Sequence, residues 1–208
     1  MRILIILLLE VLYFTDVKSQ ETIEVDFLFN NENISLNKSY SFQNDSISFS
    51  KIMFYIGYEH HEEIVYQLLD IQNKTSLELP ESVNNRSVFF IGVDSLTNVS
   101  GAMGGDLDPS KGMYWAWQSG FINVKIEGVY KGCKTRKNKF QYHLGGYQKP
   151  NVTFQEIILP TDKLSQINLN LTNFIKEAIN NNWCEIMTPS NEAVQLSKTL
   201  TKGLNFIQ

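Results

Sequence analysis

The chain has 208 residues, with 18 lysines and arginines against 22 aspartates and glutamates, a net charge of −4. That length suffices for one domain with a real core, and the mildly acidic balance lacks the basic footprint of a nucleic-acid binder. Only two cysteines, Cys133 and Cys184, are present.

Residues 1–19 read as a secretory signal peptide. Arg2 provides a basic start. Ile3 to Leu9 is an unbroken apolar run, trailing through Val11, Leu12, Tyr13 and Phe14. Val17-Lys18-Ser19 offers small residues at −3 and −1 of a cut before Gln20. A transmembrane anchor is disfavoured, because Glu10 and Asp16 interrupt a run that would need about 20 apolar residues. No other stretch is apolar enough to span a membrane. The expected localisation is periplasmic or secreted, with residues 20–208 as a single β-rich domain.

Strand-like runs follow in order: Ile23 to Phe29, Ser46 to Tyr58, Glu63 to Leu69, Ser87 to Val93, Phe121 to Tyr130, Phe140 to His143 and Thr153 to Leu159. β-branched and aromatic residues fill them, and Gly, Asn, Pro or Asp punctuate them. This pattern predicts a mostly β fold, an antiparallel β-sandwich-like domain. Leu171 to Ile179 and Asn191 to Leu204 instead show helical spacing, the second with Ser190 as N-cap. They are expected at the sheet edge or at one end.

Between the strands lies a long segment, Asp94 to Gly120, rich in Gly, Asp, Ser and Asn. Loops of this length in compact domains are usually functional or disordered. Met103, Met113, Tyr114, Trp115 and Trp117 make disorder a poor reading, because disordered segments are poor in aromatics. The loop is therefore the first place to look for function.

In an exported chain Cys133 and Cys184 pair as a disulfide, bind a metal as thiolates, or stay free; their spacing does not choose, although the absence of CxxC speaks against zinc. Sequons at Asn33, Asn37, Asn44, Asn73, Asn85, Asn98, Asn151 and Asn170 carry no weight in so Asn-rich a chain. The histidines, His60, His61 and His143, form no HExxH or closely spaced metal pair. His60 and His61 read as a solvated turn. His143 ends a strand that runs into a glycine turn and can point under the loop. Met113, Trp115 and Trp117 read either as packing or as part of a soft-metal site, since thioether and imidazole suit copper(I). Asp94, Asp106 and Asp108 offer oxygen ligands for calcium without EF-hand spacing; Asp108-Pro109-Ser110-Lys111-Gly112 is also a plain turn. No GxSxG elbow or cysteine-protease signature is present, and no acid/base pair stands out, so the chain is not expected to be an enzyme.

The blocks Ile91-Gly92-Val93-Asp94-Ser95, Asn98-Val99-Ser100-Gly101-Ala102, Gly105-Asp106-Leu107-Asp108-Pro109, Gly112 to Phe121 (GMYWAWQSGF), Lys125-Ile126-Glu127-Gly128 and Tyr142-His143-Leu144-Gly145-Gly146 resemble the MbnP-like family in order and spacing. Ser50 to Ile56 and Ile186-Met187-Thr188-Pro189 extend the resemblance over nearly the whole chain after residue 19. The resemblance implies a β-rich periplasmic or outer-surface protein that binds copper, related to MopE and CorA. It implies histidine acting with a kynurenine made from tryptophan by a partner di-haem enzyme of the MbnH type. On this chain these would be His143 and either Trp115 or Trp117. A second ligand would come from His60 or His61, or from Met103, Met113 or Met187, and calcium near the Asp-rich loop is also implied. Two other readings stand beside copper handling. One is a metal-free module that stacks a sugar or peptide on Tyr114, Trp115, Trp117 and Tyr147. The other is a purely structural exported domain.

Overall fold

The alternation of Ile23-Glu24-Val25-Asp26-Phe27 turns every second side chain to one face, and that face becomes core. The computed structural model describes residues 20–80, 83, 88–101, 103–117, 120–158 and 164–207. The predicted signal segment, residues 1–19, lies outside the described residues. The strands are β1 (Gln20–Phe29), β2 (Glu32–Asn33), β3 (Ser39–Phe42), β4 (Asp45–His60), β5 (Glu63–Asp70), β6 (Ser76–Pro80), β7 (Val88–Ile91), β8 (Tyr114–Trp115), β9 (Gly120–Tyr130), β10 (Lys139–Gly145), β11 (Gln155–Ile158), β12 (Gln166–Asn170), β13 (Glu185–Ile186) and β14 (Leu204–Ile207). The helices are α1 (Ser95–Ser100), α2 (Thr172–Asn180) and α3 (Asn191–Lys202).

Two sheets result. The smaller runs β14-β12-β1-β2, with β6 beside the start of β1. The larger is built around the long β4. Ile47 pairs with both Tyr40 and Tyr130, Phe54 with Leu69 and Val124, and Ile56 with Gln67 and Ile91. A residue has two edges, so β3 and β5 follow one edge of β4 while β9 and β7 follow the other. From there the sheet continues through β10 to β13 on one side and through β7 to β11 on the other.

The predicted antiparallel sandwich needs one correction: both sheets are mixed. β1 runs parallel to β12, and β10 runs parallel to β13. Each parallel partner returns only after a long excursion through other elements, as parallel pairing requires.

Ile23, Val25, Phe27 and Phe29 face Phe49, Ile52, Phe54, Phe140 and Tyr142 across the main core. T-shaped ring contacts such as Phe27–Phe54 at 5.9 Å and Phe29–Phe49 at 5.3 Å join the two sheets. The predicted helices are present. α2 buries Phe174, Ile175 and Ala178; α3 buries Ala193, Leu196 and Leu200. They pack on each other, and α3 also packs on β10, β11 and β14. Ser190 caps α3 by accepting the Ala193 N–H at 3.2 Å. The helix stops at Lys202 instead of Leu204, because Leu204 pairs with Leu169 and opens β14.

Cys133 and Cys184 are disulfide-bonded, with Cα atoms 5.7 Å apart. The bond ties the turn after β9 to the start of β13. Beside it the Gln141 N–H donates to the Cys184 carbonyl at 2.8 Å.

Candidate metal centre

The outward positions of β4, β9 and β10 are set by the same alternation that buries Ile52, Ile126 and Tyr142 inside. Register places them in rows. Lys125 lies between Met53 and His143, and Glu127 lies between Lys51 and Gln141. On open water this face would be a charged stripe. Here residues 94–117 fold over part of it and form a second, smaller core. Val93, Leu107, Met113 and Trp115 pack there on Met53, Tyr55, Leu68 and Phe121.

Polar side chains fasten this roof. Asn98 donates to the carbonyls of Val93 and Asp94 at 2.9 and 2.8 Å and accepts the Phe121 N–H at 2.9 Å. Asn123 accepts the Val93 N–H at 3.0 Å and donates to Thr153 Oγ1 at 2.9 Å. Gly92 sits against it with φ +96°, and a Cβ there would meet the Asn123 amide at 2.6 Å. The Tyr55 hydroxyl donates to the Asp106 carbonyl at 3.1 Å. Burial raises the pKa of that phenol, and Asp106 and Asp108 add to the rise. Tyr66, whose hydroxyl accepts the Asp94 N–H, is pushed up to about 12, chiefly by burial. Both phenols therefore remain protonated anchors at neutral pH.

At the margin of the roof stands His143, buried, with Nε2 2.7 Å from Glu127 Oε1. Glu127 is held below the usual carboxylate range, first by this hydrogen bond. An ionised carboxylate only accepts, so Nε2 carries the proton and donates; neutral imidazole then presents its lone pair at Nδ1. Lys125 reaches the Gly112 carbonyl and so ties the turn before Met113 to the row that holds His143. Burial lowers the pKa of its ammonium. Trp115 is buried over Gly145, which follows His143 by two residues on the same face, about 7 Å along the strand. A Cβ at Gly145 would come within 2.5 Å of the indole.

The structure thus places His143, Trp115 and Met113 on the same face of the larger sheet. Trp117 is 65 % exposed, with its ring centroid 5.9 Å from that of Trp115. Met103 and Met187 are also exposed. His60 and His61 are not brought to His143: their rings lie 4.0 Å apart at the β4–β5 turn. His60 is seven residues along β4 from Met53, roughly 23 Å in extended chain.

The three aspartates are put to other uses. Asp94 caps α1 by accepting the Thr97 N–H at 2.6 Å. Asp108 accepts the Ser110 N–H at 2.7 Å, the bond that chiefly lowers its pKa. Asp106 accepts the Leu68 N–H at 3.0 Å and pairs with Lys74 and Lys111 at 3.6 and 3.5 Å. A carboxylate already faced by two ammonium groups is a poor calcium ligand, so Asp106 is the least suited of the three for that ion. Among the described residues no three His, Cys, Asp or Glu side chains gather to hold a metal. Imidazole and thioether, the donors that His143 and Met113 offer on this face, are of the kind that suits copper(I).

Glu127, Lys125, Met53, Asn98 and Asn123 are the site residues that sequence reasoning did not single out. The first two carry a detectable signal: Asn123, Lys125 and Glu127 alternate with Val124 and Ile126, polar at three successive outward positions of one strand.

The fold and this face define a two-sheet sandwich whose larger sheet carries an aromatic roof on the face that also bears the buried His143. The profile of the MbnP family matches residues 18–188, and the chain belongs to that family. It is similar in fold to the solved structure of MbnP from Methylosinus trichosporium, with a TM-score of 0.55 at 12 % identity over 76 % of this chain and 78 % of that one. No curated protein sequence matches it.

Proposed function

We propose that this chain is an exported copper-handling protein, not an enzyme, and that His143 is its principal ligand. The observation that carries the reading is the pairing of His143 Nε2 with Glu127, which leaves Nδ1 as the ring nitrogen able to bind metal, on the sheet face where Trp115 and Met113 pack. Membership in the MbnP family supports a copper association, and no helix among the described residues is long and apolar enough to cross a membrane.

In this reading Glu127 holds the imidazole in one tautomer and orientation, as outer carboxylates do for metal-binding histidines. Met113 supplies a thioether in an apolar enclosure. Lys125 selects by charge: Coulomb repulsion scales with ionic charge, so its ammonium opposes a dication about twice as strongly as copper(I).

Trp115 is the tryptophan best placed for conversion to kynurenine. Oxygen added across the indole C2–C3 bond breaks that bond; hydrolysis then removes C2 as formate and leaves a ketone and an aryl amine able to ligate copper. The oxidant must come from outside the chain, the role of a di-haem partner of the MbnH type. Copper bound to such a set would supply soft-ligand storage or transfer and no turnover of substrate.

Elemental analysis and intact mass of protein purified from its own host test this together. Stoichiometric copper and the mass change of one tryptophan-to-kynurenine conversion, mapped to Trp115, are the expected results. An unmodified mass with no copper after loading would overturn the reading.

A further inference from the structure

Trp115 also borders an open groove of about 340 Å³, within the size range of small-ligand sites. Tyr147 lines it too, and Gly120 leaves room for that ring: a Cβ there would lie 3.3 Å from Tyr147 Cε1. Trp117 stands beside Trp115, 65 % exposed, an unusual degree for an indole. The polar lining comes from Gln148, Asn151 and Lys149.

This lining discriminates among ligand classes. A primary amide both donates and accepts, as each hydroxyl of a sugar requires. A bound anion would ask for donors alone and a cation for acceptors alone. Among the described lining residues there is no carboxylate, and only Lys149 is charged. The exposed indole offers an electron-rich face to the C–H side of a flat ring. A peptide would sooner extend a free strand edge, and Gly146, Tyr147, Gln148 and Asn151 belong to the turn that leaves β10. Tyr114 takes no part, because its ring packs on Phe121 at 5.1 Å.

We propose that this groove binds a neutral saccharide, hydrogen-bonded through Gln148 and Asn151 and extending past Trp115 to stack on its exposed neighbour Trp117. The groove shares Trp115 with the proposed copper site, but the amides and Trp117 that carry this inference are not needed by His143.

Saturation-transfer NMR and tryptophan fluorescence on metal-free protein, with cello-, xylo- and chito-oligosaccharides at about 10 mM, test it. At least one series should show saturated ring C–H protons and shift the tryptophan emission. Trp117→Ala and Gln148→Ala, both at the surface, should each leave the circular dichroism and melting temperature unchanged; Trp117→Ala should weaken binding roughly tenfold. Absence of binding by all three series, or binding that survives both substitutions, overturns the proposal. Preference for a neutral peptide used as control would overturn it as well. None of these outcomes bears on copper.

Discussion

At the scale of single residues, the account turns on how His143 is held. Its hydrogen bond to Glu127 spans a diagonal between neighbouring strands, so no reading of either segment alone could find it. The histidine, Trp115 and Met113 were legible because they sit in recognisable blocks. Glu127 sits in one too, but its pairing with His143 was not legible, because it depends on the register between β9 and β10. Replacing Glu127 by Ala is expected to weaken copper(I) binding about 10- to 100-fold, with partial recovery in Glu127→Gln, read by competition against a copper(I) chelator. The same pair sets an acid response. Glu127 has a folded pKa below its ordinary value of 4.5, so the stability it contributes is complete above that value and is lost as pH falls through the lowered one. Wild type should therefore exceed Glu127→Gln in denaturant stability at neutral pH and converge with it in acid. Gly145→Ala is a separate expectation: the added methyl meets the indole of Trp115, so the substitution should lower the melting temperature and alter the tryptophan emission.

Among elements, the roof formed by residues 94–117 is where sequence and structure diverge most. Its aromatics predicted order, and it is ordered through α1, short helical turns and the brief strand β8. What the sequence concealed is that Asn98, which also begins a sequon, is a buried clamp with three hydrogen bonds. A side chain so enclosed has no room for a glycan. Asn98→Ala would leave the Phe121 N–H and the Val93 carbonyl without this partner. A loss of about 2–4 kcal/mol is expected, seen in chemical denaturation, with faster hydrogen exchange concentrated in the roof. The long strands and both C-terminal helices were legible from period alone. β2, β3, β6, β12 and β14 were not: each is short, and each becomes a strand by pairing with a partner whose position local pattern does not encode.

For the molecule as a whole, the helix pair α2–α3 and the disulfide bind the C-terminal segment to the sandwich. Cysteine spacing left the pairing of Cys133 with Cys184 open, because only the fold brings the turn after β9 to the start of β13. With the cysteines 51 positions apart in sequence, loss of the crosslink in a Cys133→Ser/Cys184→Ser variant is expected to cost about 4 kcal/mol through the unfolded state, measured by denaturant unfolding. The proposed metal face lies on β9 and β10, one register row from this bridge at Gln141, so the bridge also steadies the strands that carry Glu127 and His143.

The most direct test of copper at His143 is a copper(I) titration of three proteins: the wild type, His143→Ala and the double variant His60→Ala/His61→Ala. The account predicts equal stoichiometric binding by the wild type and the double variant, and loss of binding in His143→Ala. Binding retained by His143→Ala, or lost in the double variant, would contradict it.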